Sequence, residues 1–133
     1  MPDVERVREK VHEYCKQYLN PIRPVFEISR IYDLQQEWQT VKFPYSDDQG
    51  CYVFYSEDLK LLYIGKASLK HQLGGKIANY FRWDATGRKL VACLERLRPA
   101  CFVQTIKVNE AFEAPSLEEF LLRELDPPAN VRK

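Results

Sequence analysis

Three consecutive pieces of sequence decide the fold: Gly50-Cys51-Tyr52-Val53-Phe54-Tyr55-Ser56, then Glu57-Asp58-Leu59-Lys60, then Leu61-Leu62-Tyr63-Ile64-Gly65. Between Cys51 and Tyr55 every residue is aromatic, β-branched or Cys, the composition of a strand. Leu61 to Ile64 is a second strand, and the polar interruption makes the two a hairpin. A four-residue loop pairs Ser56 with Leu61. That register sets Phe54 opposite Tyr63 and Tyr52 opposite Gly65. Side chains alternate with period two, so Tyr52 and Tyr63 emerge on one face. A slip of one residue would part them.

Upstream of the hairpin, Val4, Val7, Val11, Tyr14 and Tyr18 recur at spacings of three and four. This predicts a helix over residues 2–19, capped by Asp3 and ended by Asn20-Pro21. Ile31, Leu34, Trp38 and Val41 fit a second helical stripe with Ser29 as cap. Phe43-Pro44 and Ser46-Asp47-Asp48 form a loop. Downstream, Leu73, Ile77, Tyr80 and Phe81 have helical spacing. Leu90, Val91, Leu94 and Leu97 predict a further helix over residues 86–97, ended by Pro99. Residues 101–108 suit a third strand. Ser116-Leu117-Glu118-Glu119 matches a capping box, predicting a helix from there to Leu125, stopped by Asp126-Pro127-Pro128. The expectation is an α+β fold: a small three-stranded antiparallel sheet flanked by helices in residues 50–133, with residues 1–49 as an N-terminal helical extension packed on that domain.

Composition narrows the class. The chain has 133 residues, 45% apolar and 13% aromatic, enough large side chains to exclude intrinsic disorder. No apolar run approaches the ~20 residues of a membrane span. The N-terminus lacks the apolar core of a signal peptide, so a cytoplasmic protein with no membrane contact is expected. Cys15, Cys51, Cys93 and Cys101 form no CxxC pair and no His lies at finger spacing, so they read as small buried apolar residues. The formal charge of +1 hides an asymmetry. Between Lys66 and Arg98 eight cations face only Asp84 and Glu95. A basic middle between acidic ends suits a polyanion on one face; two solvated helices would show the same charges.

The residues around the hairpin carry an inventory of chemistry. Two tyrosines share a face, Lys66 follows at once, and Lys76 and Tyr80 lie a helical turn apart. Glu118 falls in the first turn of the last helix. Nearby cations are expected to lower a phenol's pKa from ~10 and ready it to take a proton from water. A carboxylate suits Mg²⁺, which completes its shell with waters and phosphate oxygens. Such a set matches phosphodiester hydrolysis. Each element alone has a plainer explanation: core aromatics, solvated lysines, a glutamate at a helix dipole.

Read together, these residues resemble the GIY-YIG nuclease family, which includes the UvrC-type repair nuclease domain and homing endonucleases. Gly50-Cys51-Tyr52 and, eleven residues on, Tyr63-Ile64-Gly65 stand for its two name-giving blocks. Leu62-Tyr63-Ile64-Gly65-Lys66-Ala67 is similar to its YIGKA segment. Leu73-Gly74-Gly75-Lys76-Ile77-Ala78-Asn79-Tyr80-Phe81 resembles the helix carrying its catalytic arginine. Glu118 lies twelve residues before Asn130, and Asn130-Val131-Arg132 resembles the closing motif. Five blocks keep their order across residues 50–133; residues 1–49 match nothing comparable.

The resemblance implies a metal-dependent endonuclease acting on double-stranded or branched DNA. Tyr52 would be the general base or orient the water, with Tyr63 assisting. Lys66 would hold attacking or phosphate oxygens, Tyr80 would support the site, and Asn130 would buttress it. Glu118 would be the sole protein carboxylate on one Mg²⁺ or Mn²⁺. Lys66, Lys70, Arg82, Arg88 and Lys89 would contact DNA. Two departures stand out. Lys76 replaces the family's arginine and loses its bidentate phosphate geometry, and the loop over residues 68–72, with His71, is longer than in the repair nucleases. A catalytically weak module of the same fold, binding nucleic acid or a protein partner, is the alternative. With so little DNA-reading surface, the domain is expected to bind weakly or to work as a homodimer or with a partner. Repair, restriction, recombination and mobile-element defence are all open.

Overall fold

In the computed structural model, residues 2–130 are described. Three long antiparallel strands form the sheet: β3 (Gly50–Ser56), β4 (Leu61–Ala67) and β7 (Ala100–Lys107), in the order β7-β3-β4. β3 is the middle strand and is covered on both faces, which explains its unbroken apolar run. Two-residue strands β1 (Glu27–Ile28) and β2 (Tyr32–Asp33) add to the outer edge of β7.

The hairpin register is the expected one from Gly50 opposite Ala67 to Phe54 opposite Tyr63. It then shifts by one: Tyr55, not Ser56, lies opposite Leu61, and Leu62 is the extra residue of a bulge. The slip falls beyond Tyr52 and Tyr63, so their common face is kept. Two glycines of the hairpin stand where a side chain would collide with its neighbours. A Cβ on Gly50 would lie 1.8 Å from the Ile106 carbonyl oxygen. A Cβ on Gly65 would lie 2.3 Å from the Tyr52 ring.

Each face of the sheet has its own core. Cys51, Val53, Tyr55, Ile64 and Ile106 pack beneath α1 (Pro2–Tyr18) and α4 (Glu113–Leu125). Tyr52, Phe54 and Val103 pack on the opposite face with Leu73 and Ile77 of α3 (Leu73–Ala78), and with Leu97 of a 3-10 turn at Glu95–Leu97. Asp3 does not cap α1. It lies in the first turn, and its carboxylate accepts the Leu61 N–H at 2.7 Å, tying α1 to β4.

Several sequence-based expectations are corrected. The extension is helical only in its first part. The stripe through Ile31 and Val41 yields one helical turn, α2 (Leu34–Glu37), because Asp33 accepts the Gln35 and Gln36 N–H groups and caps there, while the open edge of β7 draws the preceding residues into strands. Ser29 is no cap; its hydroxyl donates to the Arg30 carbonyl and accepts the Thr105 N–H.

Residues 86–97 are not a helix. β5 (Phe81–Trp83) and β6 (Leu90–Ala92) form a second hairpin. The Asp84 carboxylate accepts from Thr86, Arg88 and Lys89 N–H groups, and Gly87 takes a left-handed φ of 71°, which closes a turn. α4 begins at Glu113, three residues before the capping box. Glu113 itself reaches back to the Glu110 N–H at 2.6 Å, and Ser116 bonds the Tyr14 hydroxyl at 2.7 Å instead of capping. Glu118 is therefore in the second turn. All four cysteines are free; Cys15 and Cys51 are buried, but Cys93 is exposed and Cys101 partly so.

Candidate active site

Gly65 creates the space in which this site is built. Without a side chain there, the Tyr52 ring lies across β4, and its hydroxyl donates to Tyr80 Oη at 2.8 Å. Tyr63, from the next strand, bonds the same Tyr80 oxygen at 3.1 Å. Tyr80 is thus the hub of three hydroxyls. It is not in a helix with Lys76; it follows the end of α3, where its N–H donates to the Ile77 carbonyl. Tyr52 is 1% exposed, whereas Tyr63 and Tyr80 are only partly buried.

Electrostatics reverse one expectation. Cations do not lower the Tyr52 phenol. Burial pushes it well above its ordinary value, and the hydrogen bond to Tyr80 adds to the effect. Tyr63 is raised by burial and by Tyr80 in the same way. A buried hydroxyl already donating to Tyr80 is poorly placed to take a proton from water.

Glu118 stands on α4, and its charge acts on both Tyr52 and Tyr63. Its carboxylate pairs with Lys66 Nζ at 3.6 Å. Burial raises the carboxyl; Lys66 and, more weakly, Lys76 oppose that rise. Lys66 and Glu118 thus form an ion pair, and Lys76, Tyr52 and Tyr63 lie within electrostatic reach of that carboxylate. Asn130 holds the free edge of β4: its side chain accepts the Ile64 N–H at 3.0 Å and donates to the Ile64 carbonyl at 2.8 Å. Val131 and Arg132 of the closing motif lie outside the described residues.

Among the described residues no cluster of three or more His, Cys, Asp or Glu could cage a metal. One partly buried carboxylate is nevertheless the donor set that suits Mg²⁺ or Mn²⁺, which take their other oxygens from water and phosphate.

The DNA-contact candidates are more scattered. Lys70, with His71, is exposed in the loop before α3, which Gln49 tethers by donating to the Leu69 carbonyl. Arg82 is exposed on β5, and Arg88 and Lys89 are exposed in the β5–β6 turn. That hairpin springs from the site, since the Cys93 N–H donates to the Tyr80 carbonyl at 2.7 Å. A cavity of about 680 Å³ between α1 and α4, lined by Tyr14, Tyr18, Phe112 and Phe120, contains none of the site residues. One residue near the tyrosines escaped the sequence reading. Arg96 donates from Nε to the Ala129 carbonyl at 3.0 Å, and its charge acts on Tyr63. No motif marked it, because only the tertiary fold brings the 3-10 turn to β4.

The family model of the UvrC-like GIY-YIG domain matches residues 48–131. The chain belongs to this family. Among relatives, the UvrABC system protein C of Pseudomonas aeruginosa (strain LESB58) is 41% identical over 87 residues, covering 65% of this chain and 13% of that protein. Its namesake in Borrelia duttonii (strain Ly) is 34% identical over 94 residues, 71% of this chain and 14% of the relative. The chain thus spans about an eighth to a seventh of these relatives' length. As a GIY-YIG domain it is of nuclease type. Among the described residues no helix is long and apolar enough to cross a membrane.

Proposed function

We propose that this GIY-YIG domain is a metal-dependent DNA endonuclease with one Mg²⁺ or Mn²⁺ per site, working in DNA repair. The observation that carries the reading is that Glu118, paired with Lys66 and within electrostatic reach of Lys76, also acts across β4 on Tyr52 and Tyr63, two members of a three-tyrosine hydroxyl cluster.

Glu118 and, beside it, water and substrate phosphate would hold the metal, which supplies Lewis acidity for phosphodiester hydrolysis. Lys66 pairs with Glu118 and would hold a phosphate oxygen beside the metal. Lys76 adds positive charge within electrostatic reach of Glu118. Tyr63 and Tyr80 are the partly exposed members of the cluster, so they would orient the attacking water. Tyr52 fixes the Tyr80 hydroxyl from beneath. Asn130 holds β4, and hence Tyr63, in place.

Cleavage of plasmid, branched and single-stranded DNA in Mg²⁺ and Mn²⁺ tests the reading. Glu118→Gln is expected to abolish cleavage while leaving folding and DNA binding nearly intact; undiminished cleavage would refute the metal role. A second reading is a module that binds DNA or a protein partner with little catalysis. It is favoured by the engagement of Glu118 with Lys66 and by the upward shift of its carboxyl, both of which weaken a metal site. It requires that the wild type cleave none of these DNA forms.

A further inference from the structure

We propose that Arg96 is a phosphate-binding residue of this site, its two terminal guanidinium nitrogens holding oxygens of the DNA backbone beside Tyr63. The proposal deepens the nuclease reading and rests on it for the identity of the ligand.

The position of Arg96 is fixed from two sides. Its neighbour Leu97 is fully buried in the same core as Tyr52 and Phe54, so the 3-10 turn lies on the tyrosine face. Arg96 Nε is fastened to the Ala129 carbonyl. The Ala129 N–H in turn donates to the Leu62 carbonyl at 2.9 Å, and Asn130 brackets the backbone of Ile64. Residues 129 and 130 therefore grip the free edge of β4 on either side of Tyr63, and Arg96 is tied to that grip.

One nitrogen is used for this anchorage. Nη1 and Nη2 make no hydrogen bond or ion pair with another described residue, and the side chain is exposed. An arginine fixed at Nε keeps a planar pair of donors pointing away from its anchor, the geometry that matches two phosphate oxygens. The other cations of the site are differently employed: Lys66 pairs with Glu118, and the charge of Lys76 also acts there. Neither lysine offers a fork. Arg96 alone of these three is uncommitted to the carboxylate, and its charge opposes the burial effect at Tyr63.

The competing explanation is a staple, in which Arg96 only holds residue 129 against β4. Two measurements separate the two. The first is the salt dependence of duplex DNA binding, in the Glu118→Gln background without metal, with Arg96 or with Arg96→Ala. If Arg96 contacts a phosphate, its loss in Arg96→Ala lowers the log–log salt slope by about one contact's worth. A staple leaves the slope unchanged and lowers the melting temperature instead, which would overturn the proposal.

The second is single-turnover cleavage. Arg96→Ala is expected to cost about 10²–10³-fold, the usual loss for one transition-state donor. Arg96→Lys recovers only part of it, and added methylguanidinium rescues Arg96→Ala. Loss without rescue, together with an unchanged slope, overturns the proposal. If the wild type cleaves no DNA, the nuclease reading fails by itself. A slope lowered by one contact then still supports the phosphate contact, and an unaltered slope rejects it.

Discussion

At the scale of single residues, the site depends on an absent side chain. Gly65 leaves the volume that the Tyr52 ring fills, with only 2.3 Å between a would-be Cβ and the ring. Gly65→Ala is therefore expected to destabilise the fold by about 1–3 kcal/mol, the usual cost of overpacking. It should also break the Tyr52–Tyr80 hydrogen bond. Urea denaturation checks the first effect and cleavage the second; an unchanged midpoint would mean the ring moves aside freely. The tyrosines themselves are separable. Tyr80 joins both other hydroxyls, and Tyr63 and Tyr80 are the solvent-accessible pair. Phenylalanine at Tyr63 or Tyr80 should cost on the order of 10²–10⁴ in cleavage rate, and Tyr52→Phe distinctly less. The reverse order would restore Tyr52 as the proton acceptor.

At the scale of elements, the β5–β6 hairpin replaces an expected helix and changes how its charges are presented. A helix would spread Arg88 and Lys89 over a solvated face. The turn gathers them at an exposed tip, held by Asp84, while the strand stem runs back to Tyr80. Lys89 also borders a concavity shared with Glu57 and Asp58, which tempers its local field. Replacing Arg88 and Lys89 together by glutamine should lower the salt slope of DNA binding by up to two phosphate contacts' worth, with little change in melting temperature. An unaltered slope would place DNA away from this tip.

At the scale of the whole molecule, both cores hold tyrosine rings wholly or partly out of water. Tyr52, Tyr55 and Tyr63 all have phenols raised mainly by burial. A group whose folded pKa is raised lends stability below its unfolded pKa and loses it as pH climbs towards the folded one. Stability is thus retained up to about pH 10, the value of a free tyrosine, and falls above it. A spectrophotometric titration should show these phenols still protonated past pH 10, then ionising together as the fold gives way. Independent ionisation near pH 10 in the folded protein would show that the faces are open. α1 shares in this closure, since Asp3 holds it to β4 and Tyr14 to α4.

The sequence alone determined the hairpin, its register through Phe54 and Tyr63, and the common face of Tyr52 and Tyr63, because those features follow from period-two alternation and a short turn. It also determined the family, since ordered blocks need no coordinates. Periodicity misled at residues 86–97, where Leu90, Val91, Leu94 and Leu97 satisfy a helical stripe while an Asx turn and Gly87 enforce a hairpin. It misled again near residue 31, where an open strand edge outcompeted local helix formation. Only the tertiary structure decided that burial raises the Tyr52 phenol, that Tyr80 is the hub and that Arg96 stands beside Tyr63. Each of these is set by neighbours far away in the chain, through desolvation and through side-chain and backbone hydrogen bonds that local sequence does not encode.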